Sequence, residues 1–73
     1  MPVSRATRHI CKTLDLVAAN NEAAAIVVMR AAERIGDELL RQQLLNVIQR
    51  MNQDAAQLRL ARDEVAGQGL RRA

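Results

Sequence analysis

His9 and Cys11 are the only histidine and the only cysteine in the chain, so a search for chemistry starts there. Catalysis needs a nucleophile beside a base, paired carboxylates in a pocket, or metal ligands at suitable spacing. On a helix, the neighbours of His9 are Lys12 and Thr13, and no carboxylate lies a turn away to orient the imidazole. Cys11 falls on a different face and reads as a small buried hydrophobe. The ExxH and HExxH patterns of helical metal sites are absent. Gly67-Gln68-Gly69 stands near the chain end, not between a strand and a helix, so it is no phosphate-cradling loop. The expectation is a protein that is not an enzyme, with no catalytic residue, no metal site and no cofactor.

The elements that position these residues follow from composition. Apolar residues make up 49% of the 73 positions, yet Phe, Trp and Tyr are all missing. Burial therefore falls to Ala, Leu, Ile, Val and Met, in a chain rich in Ala, Leu, Arg, Gln and Glu, the good helix formers. One Pro and three Gly leave little to punctuate β-turns. An all-α protein is expected. A single Cys excludes an internal disulfide framework. The longest apolar run, Ala23 to Met29, is far short of the roughly 18 residues that span a bilayer. Asp15 interrupts the only apolar stretch after the basic start, which removes a secretory signal. The expected location is the cytoplasm of the producing or host cell, with no membrane partner.

Ile10, Leu14, Val17, Asn21, Ala24, Val28, Ala31 and Ile35 recur in alternating steps of four and three, a heptad seam. Leu40, Leu44, Val47, Met51, Asp54, Leu58, Ala61 and Val65 repeat the pattern in the second half. Between them, Gly36 can supply a positive-φ helix cap and Asp37 can cap the next helix. Ser4 or Thr7 is the expected first N-cap. The reading is one domain over residues 1–73: a helix over about 5–35, a turn at 36–37, a helix over about 38–66 and a basic tail at 67–73. Folded antiparallel about the turn, the two strings place Val28 opposite Val47, Ala24 opposite Met51 and Val17 opposite Leu58. The two polar seam positions, Asn21 and Asp54, also face each other and would set the register. The competing architecture is a three-helix bundle broken near Asn20-Asn21, two turn-prone residues in succession.

A lone hairpin of this size rarely generates more than a few kcal/mol from one core. Apolar residues remain outside the assigned seam, and Ala25, Ile26, Met29, Ala32, Leu45, Ile48 and Ala55 are expected to form the partner or oligomer interface. A homodimer closing into a four-helix bundle is the simplest symmetric solution. The function expected first is a protein-interaction module, an adaptor, inhibitor or regulator of a size that suits a phage or mobile element. Its partners are a second copy and another protein.

Charge supports a second reading. Residues 1–12 carry Arg5, Arg8 and Lys12 with no acid, and residues 59–73 carry Arg59, Arg62, Arg71 and Arg72 against Asp63 and Glu64. The segments hold +3 and +2, the middle holds four Arg against six acids for −2, and the whole is +3. These seven basic residues gather at one end of a hairpin and could contact nucleic acid or another anion. The hairpin dimer resembles the Rop-type architecture that binds paired RNA loops, a likeness of architecture with no motif behind it. No aromatic residue is present to stack on bases, so nucleic-acid binding ranks second. A small anionic ligand such as a nucleotide, clamped by arginine forks, ranks third. Gln42, Asn46, Gln49, Gln53 and Gln57 form an uncharged amide stripe that reads as a solvated face.

Overall fold

The computed structural model describes residues 4–72, with side chains described over residues 4–68. It is an antiparallel hairpin of two helices, α1 (Arg5–Glu33) and α2 (Glu38–Arg72). The Cα envelope measures 55 × 14 × 11 Å, a rod two helices wide. Helix α1 opens at Ser4, whose Oγ accepts the Thr7 amide at 3.1 Å. Helix α2 opens at Asp37, whose carboxylate accepts the Leu40 amide at 3.0 Å. Both caps satisfy amides that the first helical turn leaves without partners. Helix α1 runs unbroken through Asn20 and Asn21, so the three-helix arrangement is not adopted. The heptad keeps its phase through that pair, and continuous packing outweighs the turn preference of two asparagines.

Two helix ends differ from expectation. Helix α1 stops at Glu33, and the Arg34 and Ile35 amides donate to the carbonyls of Ala31 and Ala32 at 3.1 and 3.2 Å. These tighter bonds satisfy the terminal carbonyls. The reversal is then spread over residues 34–37, and Gly36 has no need of positive φ and does not adopt it. At the other end α2 continues through Gly67 and Gly69 to Arg72, where a basic tail was expected. A glycine inside a helix costs only about 1 kcal/mol relative to alanine. Without a left-handed residue or a proline, that is not enough to stop the helix.

The seam itself is turned relative to the sequence expectation. The buried residues of α1 are Cys11, Ala18, Ala25 and Ala32, spaced seven apart, and those of α2 are Ile48 and Ala55. Ala25, Ala32, Ile48 and Ala55 were assigned to an outer interface; they lie inside the hairpin, at 3, 2, 4 and 1% exposure. The register shifts as well. Cys11 sits across from Arg62, its thiol directed at the Arg62 carbonyl at 3.7 Å. Carried along two antiparallel helices, this level places Ala18 with Ala55 and Ala25 with Ile48. The pairings Val28–Val47, Ala24–Met51 and Val17–Leu58 are therefore not those of the seam. Asn21 is half-buried, Asp54 is exposed, and no hydrogen bond joins them among the described residues.

The reason is steric. The closest line of approach between two helices favours small side chains, because interaxial separation follows the residues at the contact, and Ile48 is accommodated on it opposite Ala25. Alanine every seventh residue fits that line. Leu14, Val28, Ile35, Leu44, Met51, Leu58 and Val65 then sit half-buried beside it. Leucine at Ala18 would push the helices apart. Ala18→Leu should cost about 1–3 kcal/mol by overpacking, whereas Ala23→Leu on the exposed outer face should change stability by about 0.5 kcal/mol or less. Urea denaturation followed by far-ultraviolet circular dichroism measures both.

Candidate interaction surface

With the seam centred on Cys11, Ala18, Ala25 and Ala32, helical periodicity assigns every other residue to a flank. On one flank Glu22 pairs with Arg59, and the Arg62 Nε donates to Asp15 Oδ2 at 3.2 Å. Arg62 also reaches Asp63 through its Nη1 at 3.3 Å. Closer to the turn the same flank becomes apolar, where Met29, Ala32 and Leu45 line a shallow hollow of about 300 Å³ with Glu33 and Arg41 at its rim. Ion pairs thus bridge this flank toward the open end, while Met29 and Leu45 stay 44 and 39% exposed nearer the turn.

Among the described residues the opposite flank has no such ion pairs and is apolar along most of its length. It carries Ile10, Leu14, Val17, Ala24, Val28, Ala31 and Ile35 from α1. From α2 it carries Leu40, Leu44, Val47, Met51, Leu58, Ala61 and Val65. These are the heptad residues that the sequence places in the seam. In each string most residues are half-buried against the seam and the others stand clear of it. Ile10, Val17, Leu40 and Val47 remain 47, 41, 44 and 36% exposed. Only Asn21 and Asp54 interrupt this face with polar groups along most of the rod. A residue step of about 100° explains the result: the heptad strings point sideways from the pair of helices, and the alanine line one residue further on points across it.

The remaining candidate residues fall elsewhere. Ile26 is exposed on the outer side of α1, and Met29 and Leu45 belong to the ion-paired flank. Arg5, Arg8 and Lys12 are exposed on the first turns of α1, with His9 between them. Their spacing, with His9, is one face of a helix, turned away from the apolar flank. No acid lies in that first turn, so these cations oppose the helix dipole, which favours negative charge at an N-terminus. Arg59 and Arg62 are engaged with Glu22, Asp15 and Asp63, and the side chains of Arg71 and Arg72 lie outside the described residues. The structure thus divides the seven basic candidates, with two neutralised locally and three presented outward. No group of three metal-ligating side chains occurs among the described residues. The amide stripe is exposed on the outer side of α2, where Gln42 donates to Asn46 at 3.4 Å. Among the described residues no helix is long and apolar enough to cross a membrane.

The Arg59 pKa is raised, first by its hydrogen bond to Glu22 and then by the charge of that carboxylate. That of Arg62 is raised chiefly by the charge of Asp15, then by its hydrogen bonds to Asp63 and Asp15. A raised cation pKa contributes stability that is complete below the ordinary arginine range and fades only as pH climbs beyond it. The two clasps therefore hold unchanged through neutral pH on the arginine side. Both are half-exposed and subject to salt screening.

Comparison with protein-family models, curated proteins and solved structures returned no match.

Replacing Glu22 by Gln removes one clasp. Glu22→Gln should lower stability by no more than about 1 kcal/mol, and the difference from the parent should shrink as sodium chloride rises. Paired thermal melts at low and high salt read this directly. A loss that did not depend on salt would point to packing and not charge.

Proposed function

We propose that this chain is a small, non-enzymatic helical interaction module that works as a homo-oligomeric bundle. The observation that carries the reading is the apolar flank, which runs most of the length of the rod on both helices and is left uncovered by the hairpin's own fold. Monomeric proteins rarely expose so extended an apolar surface unless a partner uses it. Total surface supports the same reading. The hairpin exposes 5719 Å², against about 4,500 Å² for a compact monomer of 8.1 kDa. Ile48 is the only large apolar side chain buried among the described residues. A core this thin gains most by sharing a second layer with a partner, as helical bundles do. A regulator, adaptor or inhibitor would act through the surfaces that such a bundle leaves outward.

Size-exclusion chromatography with light scattering should give twice the 8.1 kDa chain mass. Val17→Asp with Val47→Asp should bring the mass down to that of one chain while leaving the helical spectrum intact, because both positions are exposed in the isolated hairpin. A parent protein that elutes as a monomer at high micromolar concentration would overturn the reading.

One observation favours the second reading, an electrostatic nucleic-acid binder. Arg5, Arg8 and Lys12 share one exposed face with His9, set against the preference of the helix dipole. Such binding would be steeply salt-dependent and indifferent to sequence. The chain has no Trp or Tyr, so absorbance at 260 nm in the protein peak reports bound nucleic acid with little background. Replacing Arg5, Arg8 and Lys12 by Gln should abolish that signal if it is present, and should leave the oligomer mass unchanged.

A further inference from the structure

We infer that a second copy of this chain covers the apolar flank with both turns at the same end of the bundle, so that Asn21 of each subunit meets Asp54 of the other. The inference rests on the interaction-module reading and adds to it the occupant, the face and the orientation.

The face fits a copy of itself. Its Cα envelope is 55 Å long and 14 Å across, which approaches the roughly 800 Å² per partner of a standard stable interface. Its apolar residues run almost from the open end to the turn on both helices, so a partner of equal length covers all of them. Ala24 and Ala31 interrupt the larger residues of α1, and at the level fixed by Cys11 and Arg62 they lie opposite the stretches 47–51 and 40–44 of α2, which hold Val47, Met51, Leu40 and Leu44. A partner whose α2 lies over α1 therefore sets large residues over these small ones.

Two orientations bring the same face onto itself. If the two-fold axis runs along the rod, the turns share an end and α1 lies over α2 of the partner. If it runs across the rod, the turns are at opposite ends and each helix lies over its own counterpart. The polar residues separate the two. The level fixed by Cys11 and Arg62 places Asp54 beside Ala19 in the same hairpin, two positions from Asn21, an axial offset of about 3 Å. With the turns together, Asn21 therefore falls on Asp54 of the partner subunit, twice by symmetry. An amide can donate to a carboxylate, and both interruptions of the face are satisfied. With the turns apart, the two Asp54 carboxylates face each other, or slide to face apolar residues unpaired. Burying a carboxylate against a like charge or without a partner is among the costliest arrangements in a protein interface.

The opposing effect is repulsion between the basic open ends. Arg5, Arg8 and Lys12 lie on the side of α1 away from the face, so the bundle separates them from their copies by more than the Debye length of about 8 Å at physiological salt. Screened surface repulsion of that kind is small beside an unpaired buried carboxylate. The parallel placement of turns wins.

Gly36 provides the reporter. A Cβ built on it meets nothing within 4 Å, and its φ is not positive, so Gly36→Cys is tolerated. Cys11→Ala removes the native thiol and repeats the residue found at Ala18, Ala25 and Ala32. The full chain carrying both changes is spin-labelled and examined by double electron–electron resonance, beside its mass by light scattering. A dimer mass with label separations of about 20–30 Å is the expected result. A dimer mass with separations on the order of 50 Å, the length of the helices, would overturn the orientation and leave the interaction module standing. A monomer mass with no dipolar coupling would overturn both. Asp54→Lys should raise the dimer dissociation constant at least tenfold with an unchanged helical spectrum; an unchanged constant would exclude Asp54 from the interface.

Discussion

The spacing between the two helices governs everything else in this molecule. Cys11, Ala18, Ala25 and Ala32 form a line of small side chains on α1, and Ala55 continues it on α2. Where the line is small, the backbones can approach and the larger neighbours cannot enter between them. Leu14, Val28, Leu44 and Leu58 are displaced to the flank and kept half-exposed. The same constraint that makes a close hairpin thus makes an incomplete one. Stability within the chain and the uncovered face outside it have one cause.

Electrostatics then makes the two flanks unequal. Asp15, Glu22, Arg59 and Arg62 pair across one side, while the other side is apolar apart from Asn21 and Asp54. A hairpin with matching flanks could stack without limit through both. A flank bridged by its own charges over part of its length offers less apolar surface to a neighbour, which favours a closed assembly over an open one. The exposed cations of α1 lie away from the apolar side, so contact with an anion and contact with another chain need not compete.

The helical class, the two-helix hairpin and the Asp37 N-cap were legible in the sequence, and the first N-cap was narrowed to Ser4 or Thr7. Ser4 and Asp37 are in place because their side chains satisfy amides two or three residues on, a local effect that needs no tertiary knowledge. The helix ends were less legible. Gly36, Gly67 and Gly69 suggest termination, but glycine permits a stop without compelling one. The seam was misplaced by one residue on half of its positions because hydrophobicity and proximity differ. Ile10, Val17, Leu40 and Val47 are more apolar than alanine, yet the closest contact rewards small size. The strict spacing of Cys11, Ala18, Ala25 and Ala32 was the available signal. For the same reason Ala25, Ala32 and Ala55 moved from the expected outer interface to the interior, with Ile48 opposite Ala25, while the residues of the uncovered flank had been read as the seam.

The turn over residues 34–37 has a kinetic consequence. In a hairpin closed at one end, sequence separation between facing residues grows steadily with distance from the turn, and so does the entropy lost in bringing them together. Structure should therefore propagate from Ala32 towards Cys11, because a pair beside one already formed closes only a short loop. The farthest pairs are the ones with least to gain from alanine alone. It is there that the Cys11–Arg62 contact and the Asp15–Arg62 bridge are found, acting as a latch that arrests fraying at the end where a zipper is weakest.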